Sequence, residues 1–434
     1  MRIAICAHNI VKKGDGQGRA NYEFVNYLIN KGYEVHLYAH RVEAELIDKV
    51  VFYPIKVIDK PVILKVAMFL VIATIKLRKS CSARKRDKYD IIYADSGTYL
   101  GYSHIMCSHF CHKSYLNYKG CDLKMRLYDR VYETFNSLVE RLEYGTSRLP
   151  RHGGGYGGDR KRATIIVVSE HLKQDLMSEY NIPSNRIKVV YNGVDLLEIQ
   201  NPKSKIQNPK STTLLFVGDL SYRKGLDFLI EAMKGIGNES SSSRGSRSRI
   251  LRTPPKAEVF DPEAHQPLAD KGGSRQIPSG FLTEGVSPLP LNVKLLIAGK
   301  IRNRYKKLAE RLSNVEFLGF RTDIDKLLQE VDGFILPSLY DPFPVAVLEA
   351  MAIGLPIIIS SNVGVSEIIQ DMENGLIIKD PTNVNEIREK IQLFASHPEQ
   401  MKEIGTNAYL TVKQIPWSKT VADKEKLIME LLVK

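Results

Sequence analysis

The sequence is poor in the features that mark several large protein classes. Its 434 residues include one tryptophan and five cysteines, Cys6, Cys81, Cys107, Cys111 and Cys121. An odd count with no C-x2-C pair argues against a disulfide framework or a zinc ribbon. Core or incidental thiols in a reduced compartment are expected. No charged leader precedes the first apolar run, residues 2–7, so a cytoplasmic rather than a secreted location is expected. The longest apolar run, 62–73, falls short of the roughly 20 residues a spanning helix needs. It also carries Lys65 and is followed by Lys76, Arg78, Lys79 and Arg84-Lys85-Arg86. The chain has no G-x4-G-K-[ST] phosphate loop, zinc finger, RNA-binding aromatic signature or basic zipper.

What is present is ordinary soluble composition, 43% hydrophobic and 26% charged. The chain is too long for one typical core, so two domains are expected. A net charge of +13 points to an anionic partner. A phospholipid surface or a phosphorylated substrate fits, whereas nucleic acid is not expected. The run at 61–77 reads as a helix that can serve the core with one face and an anionic leaflet with the other.

Short apolar runs alternate with amphipathic stretches along the whole chain. In the first half the runs are 2–7, 35–39, 90–94, 105–108, 165–169 and 187–191. In the second they are 214–218, 294–298, 315–318, 333–337, 356–360 and 375–378. Continuous apolar runs of this length suit strands covered on both faces, hence parallel sheets in an α/β fold. The expected division is 1–200, 211–415 and a last helix over 416–434, with a polar join between the first two. Residues 146–162 and 236–291 are rich in Gly, Ser, Arg and Pro, and read as disordered surface insertions.

Four segments carry candidate chemistry. Gly14-Asp15-Gly16-Gln17-Gly18 follows the first strand and precedes a helix expected over 19–30, a position suited to an anion. Its spacing is not the dinucleotide G-x-G-x-x-G. Ser108-His109-Phe110-Cys111-His112 follows a buried strand, where open α/β sheets hold ligands. A zinc site there, from Cys107, His109, Cys111 and His112, is disfavoured by the tight spacing. Arg223-Lys224-Gly225 puts two cations between a strand and a helix, which suits a diphosphate. The block from Pro337 to Pro356 sets Asp341 and Phe343-Pro344-Val345 before a helix bearing Glu349, with Gly354 at its end. A carboxylate on a face of Ala, Val, Leu and Met needs a hydrogen-bonding partner, and the vicinal hydroxyls of a ribose would serve.

These motifs, with Gly364-Val365-Ser366-Glu367, resemble family 4 of the retaining glycosyltransferases, and within it the α-glycosyltransferases of lipopolysaccharide-core and polysaccharide assembly. The resemblance implies the GT-B fold, two facing Rossmann-like domains with the acceptor bound by the first and a nucleotide-sugar, expected to be a UDP-sugar, by the second. It implies that Lys224 and Arg223 neutralise the donor diphosphate. Glu349 would hold the ribose, while Asp341 and His109 would contact the reacting sugar. Gly16 and Gly18 would border the phosphate. Phe343, Pro344, Val345 and Glu367 would complete the donor site. Metal-independent transfer to a saccharide or lipid-linked acceptor is expected, by a protein held peripherally at the membrane. Asp341 stands where the family usually has Glu, Pro344 where it often has Gly, and Asp219 where some members have Arg. An epimerase, or an inactive scaffold acting through its basic surface, is the alternative.

Overall fold

The computed structural model describes residues 1–81, 89–118, 127–146, 163–196, 211–219, 221–236, 292–300, 305 and 312–433. The expected insertions, apart from Thr146 and Ile236 at their edges, and most of the expected join lie outside the described residues, as do Arg84-Lys85-Arg86 and Cys121.

Among the described residues, thirteen strands form two sheets, every named pair parallel. The first has β1 (Arg2–Ile10), β2 (Glu34–Val42), β3 (Val51–Pro54), β4 (Ile91–Asp95), β5 (Ile105–Ser108), β6 (Thr164–Val167) and β7 (Ile187–Val189), in the order 3-2-1-4-5-6-7. The second has β8 (Thr212–Val217), β9 (Val293–Ala298), β10 (Val315–Gly319), β11 (Gly333–Leu336), β12 (Ile357–Ser360) and β13 (Leu376–Ile378), in the order 10-9-8-11-12-13. The sequence runs match all six strands of the second sheet and miss only β3, a short edge strand with no buried residue.

Strand order reverses between β1 and β4 in one sheet and between β8 and β11 in the other. Ligands of open α/β sheets bind beyond the strand ends at such reversals. The loops leaving β1, β8 and β11 carry the glycine-rich segment, Arg223-Lys224 and Asp341, and Asp95 ends β4, so these residues lie at the two reversals.

The helices are α1 (Gly16–Asn30), α2 (Ala44–Ile47), α3 (Val62–Ser80), α4 (His112–Asn117), α5 (Leu127–Thr146) and α6 (Glu170–Tyr180) in the first half. The second half adds α7 (Leu226–Lys234), α8 (Ile324–Glu330), α9 (Val345–Ala352), α10 (Val384–Ser396), α11 (Pro398–Val412) and α12 (Trp417–Val433). Helix α1 begins at Gly16, not at Arg19 as expected. Asp15 caps it by accepting from the Gln17 N–H at 3.1 Å, so two of the loop glycines belong to the first turn.

Helix α12 packs on α1, and Val421 and Ile428 join the core of the first sheet. Gly193 makes the return possible, because a Cβ there would stand 2.6 Å from the Trp417 backbone. Glu425 accepts from the Tyr27 and Tyr33 hydroxyls at 2.5 and 2.6 Å. Lys424 is buried, its ammonium over the rings of Phe24 and Tyr93.

Candidate active site

The second-sheet wall of the site begins where β8 ends. Tyr222–Lys224 form one short 3-10 turn, closed by Gly225 at φ +70°. A Cβ at 225 would overlap the Pro337 carbonyl oxygen, so this turn and the loop after β11 touch backbone to backbone. The Leu339 N–H donates to the Arg223 carbonyl at 2.7 Å. Two segments more than a hundred residues apart are thereby fixed together.

Their side chains meet. Lys224 and Asp341, both nearly buried, form a direct ion pair. Arg223 stands 3.5 Å from the same Asp341 oxygen and 3.3 Å from Asp219, and donates to the Tyr340 carbonyl at 3.1 Å. Each cation therefore faces a carboxylate, and the local charge is close to neutral.

Glu349 lies on α9, one turn past the Phe343-Pro344-Val345 entry, with Pro344 as N-cap. Its side chain reaches solvent while protein surrounds most of it, as on a cleft wall. That surrounding mass pushes its pKa up to about 7; Arg19 works against the shift, while Asp195 and Asp325 add to it. Phe343 stacks on Tyr191 at 4.9 Å, and its carbonyl accepts from Asn192 at 3.0 Å. Gly16 comes up against Val345, since a Cβ there would lie 3.5 Å from its side chain. Gly18 faces back into its own loop, against Val11 and Asn9.

The first-sheet wall holds His109. Its Nε2 lies 3.3 Å from Cys107 Sγ and 3.8 Å from Asp95 Oδ1. Asp95 is fully buried at the end of β4, and its other oxygen accepts from Asn21 at 2.6 Å and Gln17 at 3.0 Å. Burial lowers the His109 pKa to about 4, against the pull of Asp95 and with help from Lys424. Burial also raises the Asp95 pKa to about 6, against the pull of His109. His109 is neutral at pH 7 and can hydrogen-bond a hydroxyl, but it carries no charge to offer. Asp95 and Lys424 escaped sequence reasoning because neither lies in a motif; a polar residue closing an otherwise apolar strand was the available signal for Asp95.

Two sets of residues bear on metal binding. Asp95, Cys107 and His109 offer ligand atoms within 4.8 Å of one another. The Lys424 charge acts on the same cluster and would oppose a cation. An Asp-x-Asp pair also occurs, Asp323 and Asp325 at the start of α8. Asp323 is held in two bonds by Arg321, at 2.8 and 2.6 Å, while Asp325 is near enough to raise Glu349.

The walls meet along a polar and aromatic seam. Phe110 packs on Tyr340 at 4.9 Å, under the Arg223 guanidinium. The Tyr340 hydroxyl donates to Asp175 at 2.6 Å, and Asn362 donates to the Tyr118 hydroxyl at 2.7 Å. Glu367 accepts from the backbone N–H groups of Glu170 and His171, at 2.9 and 2.6 Å, and pairs with the His171 ring at 2.9 Å. The structure thus groups Arg223, Lys224 and Asp341, and sets Gly16 against Val345. Glu367 is engaged with the start of α6 rather than with Lys224.

Two parallel sheets facing each other across a cleft at their reversal points define the GT-B class. A family model for "Glycosyl transferases group 1" matches residues 287–411, and one for "Glycosyltransferase Family 4" matches residues 14–197. The chain belongs to glycosyltransferase family 4. An uncharacterized glycosyltransferase of Methanocaldococcus jannaschii is 27% identical over 383 residues, covering 82% of this chain and 80% of that protein. An α-1,3-N-acetylgalactosaminyltransferase of Campylobacter jejuni, acting on N,N'-diacetylbacillosaminyl-diphospho-undecaprenol, is 37% identical over 116 residues, 26% of this chain and 31% of its own. Among solved structures, WaaG, a glycosyltransferase of lipopolysaccharide biosynthesis, aligns with a TM-score of 0.68 at 16% identity, over 98% of this chain and 99% of its own. Anabaena HepE in complex with UDP-glucose aligns with a TM-score of 0.57 at 15% identity, over 98% and 99%.

Proposed function

We propose that this chain moves a hexose, with retention and without a metal, from a UDP-sugar to a saccharide or lipid-linked acceptor in cell-surface glycan synthesis. The observation that carries the reading is the Arg223–Lys224–Asp341 cluster at the reversal of the second sheet. A departing nucleoside diphosphate needs positive charge aimed at it, and two cations already held at the site supply it. Donor binding then exchanges partners. The diphosphate takes Lys224 and Arg223, and Asp341 turns to a sugar hydroxyl. Ionised Glu349 accepts from the ribose, with Phe343, Pro344 and Val345 at its side. Neutral His109, its Nε2 against Cys107 Sγ at 3.3 Å, contacts the sugar from the other wall.

Relatives lend support. One acts on an undecaprenol-linked acceptor, another belongs to lipopolysaccharide synthesis, and HepE takes UDP-glucose. A second reading, a GT-B scaffold that transfers nothing, draws on the Lys224–Asp341 pair, which leaves little net charge for a donor. Calorimetric titration with UDP- and GDP-sugars, with and without EDTA, separates the two. Binding that survives EDTA and falls at least ten-fold in Lys224→Gln supports the transferase. Absence of binding by the wild type across the panel supports the scaffold.

A further inference from the structure

Helix α5 turns its acids inward. Glu143 is buried and accepts from the Gly97 N–H at 2.8 Å and from Ser96 Oγ at 3.1 Å. Glu140, also buried, accepts from the His112 N–H at 3.1 Å and the Tyr180 hydroxyl at 2.6 Å. The opposite face shows Leu127, Val131, Leu138 and Leu142 to solvent. Arg141 stands exposed on the same helix, and its neighbours at three and four residues are Ser137, Leu138, Tyr144 and Gly145, none of them acidic. It makes no ion pair among the described residues.

Those four neighbours and Arg141 form one wall of a cavity of about 520 Å³. Lys113, Glu179, Tyr180, Asn181, Ile182 and Arg186 complete it. The cavity is apart from the candidate donor site. Arg186 donates to the Ala163 carbonyl from Nε at 3.3 Å and from Nη2 at 3.1 Å. Ala163 and Arg186 directly precede β6 and β7, so this guanidinium is fixed where those strands start. Arg223, Lys224, Asp341 and His109 lie beyond strand ends, and none of them lines the cavity.

Its charge balance also differs from that of the donor site, where each cation faces a carboxylate. Three cations and one acid line the cavity. Glu179 is already engaged, with Lys113 at 3.0 Å on one oxygen and Asn117 donating to the other at 2.9 Å. Arg141 therefore leaves an excess of positive charge at the wall. A guanidinium matches the oxygens of a phosphate with paired N–H donors. Arg186, oriented beforehand by a carbonyl, loses little freedom when a ligand arrives. The Tyr144 and Tyr180 rings stand 5.1 Å apart and give the cavity an aromatic side. Sites for small ligands run about 300–1,000 Å³ and combine such surfaces with a few placed polar groups. The space here exceeds what a phosphate alone would fill and admits a body the size of a monosaccharide.

We propose that this cavity binds the phosphate group of a small phosphorylated metabolite, of the size of a sugar phosphate, at a place separate from the donor cleft. The proposal goes beyond the transferase reading and does not rest on it.

The test is calorimetric titration with glucose 6-phosphate, glucose and inorganic phosphate, for wild type, Arg141→Glu, Arg141→Lys and Lys224→Gln. Arg141 is exposed, so its variants are expected to fold, and circular dichroism checks them. Glucose 6-phosphate is expected to bind the wild type, more weakly in high salt, and inorganic phosphate to displace it, whereas glucose is not expected to bind. Arg141→Glu is expected to lose at least about ten-fold in affinity, the weight of one charge-assisted bond, and Arg141→Lys to fall between the two. Lys224→Gln is expected to bind as the wild type does. No binding by the wild type, or equal binding by Arg141→Glu, overturns the proposal. So does loss of binding in folded Lys224→Gln, which would put the ligand in the donor cleft. Sugar-nucleotide binding is expected to be unchanged in Arg141→Glu, so a failed transferase reading and a failed cavity proposal give different results.

Discussion

At the scale of the residue, Glu349 is the donor-site carboxylate whose titration falls near neutral pH. An unfolded glutamate ionises near 4.5, and this one near 7. The folded protein therefore keeps the proton longer, and the free protein loses stability as pH rises from 4.5 to 7. Glu349→Gln is expected to make that part of the stability–pH curve shallower, with the raised Asp95 and Glu143 carboxylates keeping their own share of the slope. Donor affinity has the opposite sign, because only the carboxylate accepts from both ribose hydroxyls. Sugar-nucleotide binding should strengthen between pH 6 and 8 (about one unit either side of the Glu349 value) in the wild type and stay level in Glu349→Gln. Asp341 makes a different prediction. Asp341→Ala leaves Lys224 charged and nearly buried with no carboxylate at contact distance, an expected loss of about 3 kcal/mol in urea denaturation. Arg223, Lys224, Asp341 and Glu349 were legible in the sequence because each belongs to a local strand–loop–helix pattern. Their mutual pairing was not, since Lys224 and Asp341 lie 117 residues apart and only the sheet order brings them together. Asp95 and Lys424 were missed because neither lies in such a pattern, although a polar residue closing an apolar strand was a signal for Asp95.

At the scale of the element, Gly225 and α5 show how loops are held to a working shape. Gly225→Ala forces a side chain into left-handed backbone and into the Pro337 carbonyl. An expected cost of at least about 2 kcal/mol follows, from roughly 1–2 for the conformation and the remainder from the overlap. Chemical denaturation measures it, and a smaller cost would mean that the two loops separate easily. In α5, Glu143→Ala strips the acceptor from the Gly97 N–H, an expected loss of about 1–3 kcal/mol in the same assay. The sequence did not reveal α5, because reading by periodicity assigns leucines to the core and glutamates to water. Here the stripe is reversed, and the glutamates are inside for the backbone groups they satisfy. The run 62–73 was legible as a helix, and α3 divides its apolar residues between core and solvent. The strands of the second sheet were the clearest elements, since parallel strands covered on both faces are apolar throughout.

At the scale of the whole molecule, the two sheets are tied across the cleft by few polar contacts, and Glu367 makes three of them at the start of α6. The His171 pKa is raised by its bond to Glu367. The Glu367 pKa is lowered, because its bonds to His171 and to two N–H groups outweigh its burial. The charged pair is therefore lost as pH falls through the depressed Glu367 value and again as it rises through the raised His171 value. Glu367→Ala is expected to increase the radius of gyration in small-angle scattering while circular dichroism stays unchanged; an unaltered radius would mean that the other seam contacts suffice. The fold, with its two parallel sheets, was legible from alternation alone, whereas the seam was not, because contacts between domains leave no periodic trace in either. The most direct test of the central claim is nucleotide release from UDP-glucose and a panel of other sugar nucleotides, with and without lipid-linked saccharide extracts, for wild type and Glu349→Gln. Acceptor-stimulated release by the wild type, reduced at least ten-fold in the folded variant, is the expected result. No release from any donor under any acceptor condition would contradict it.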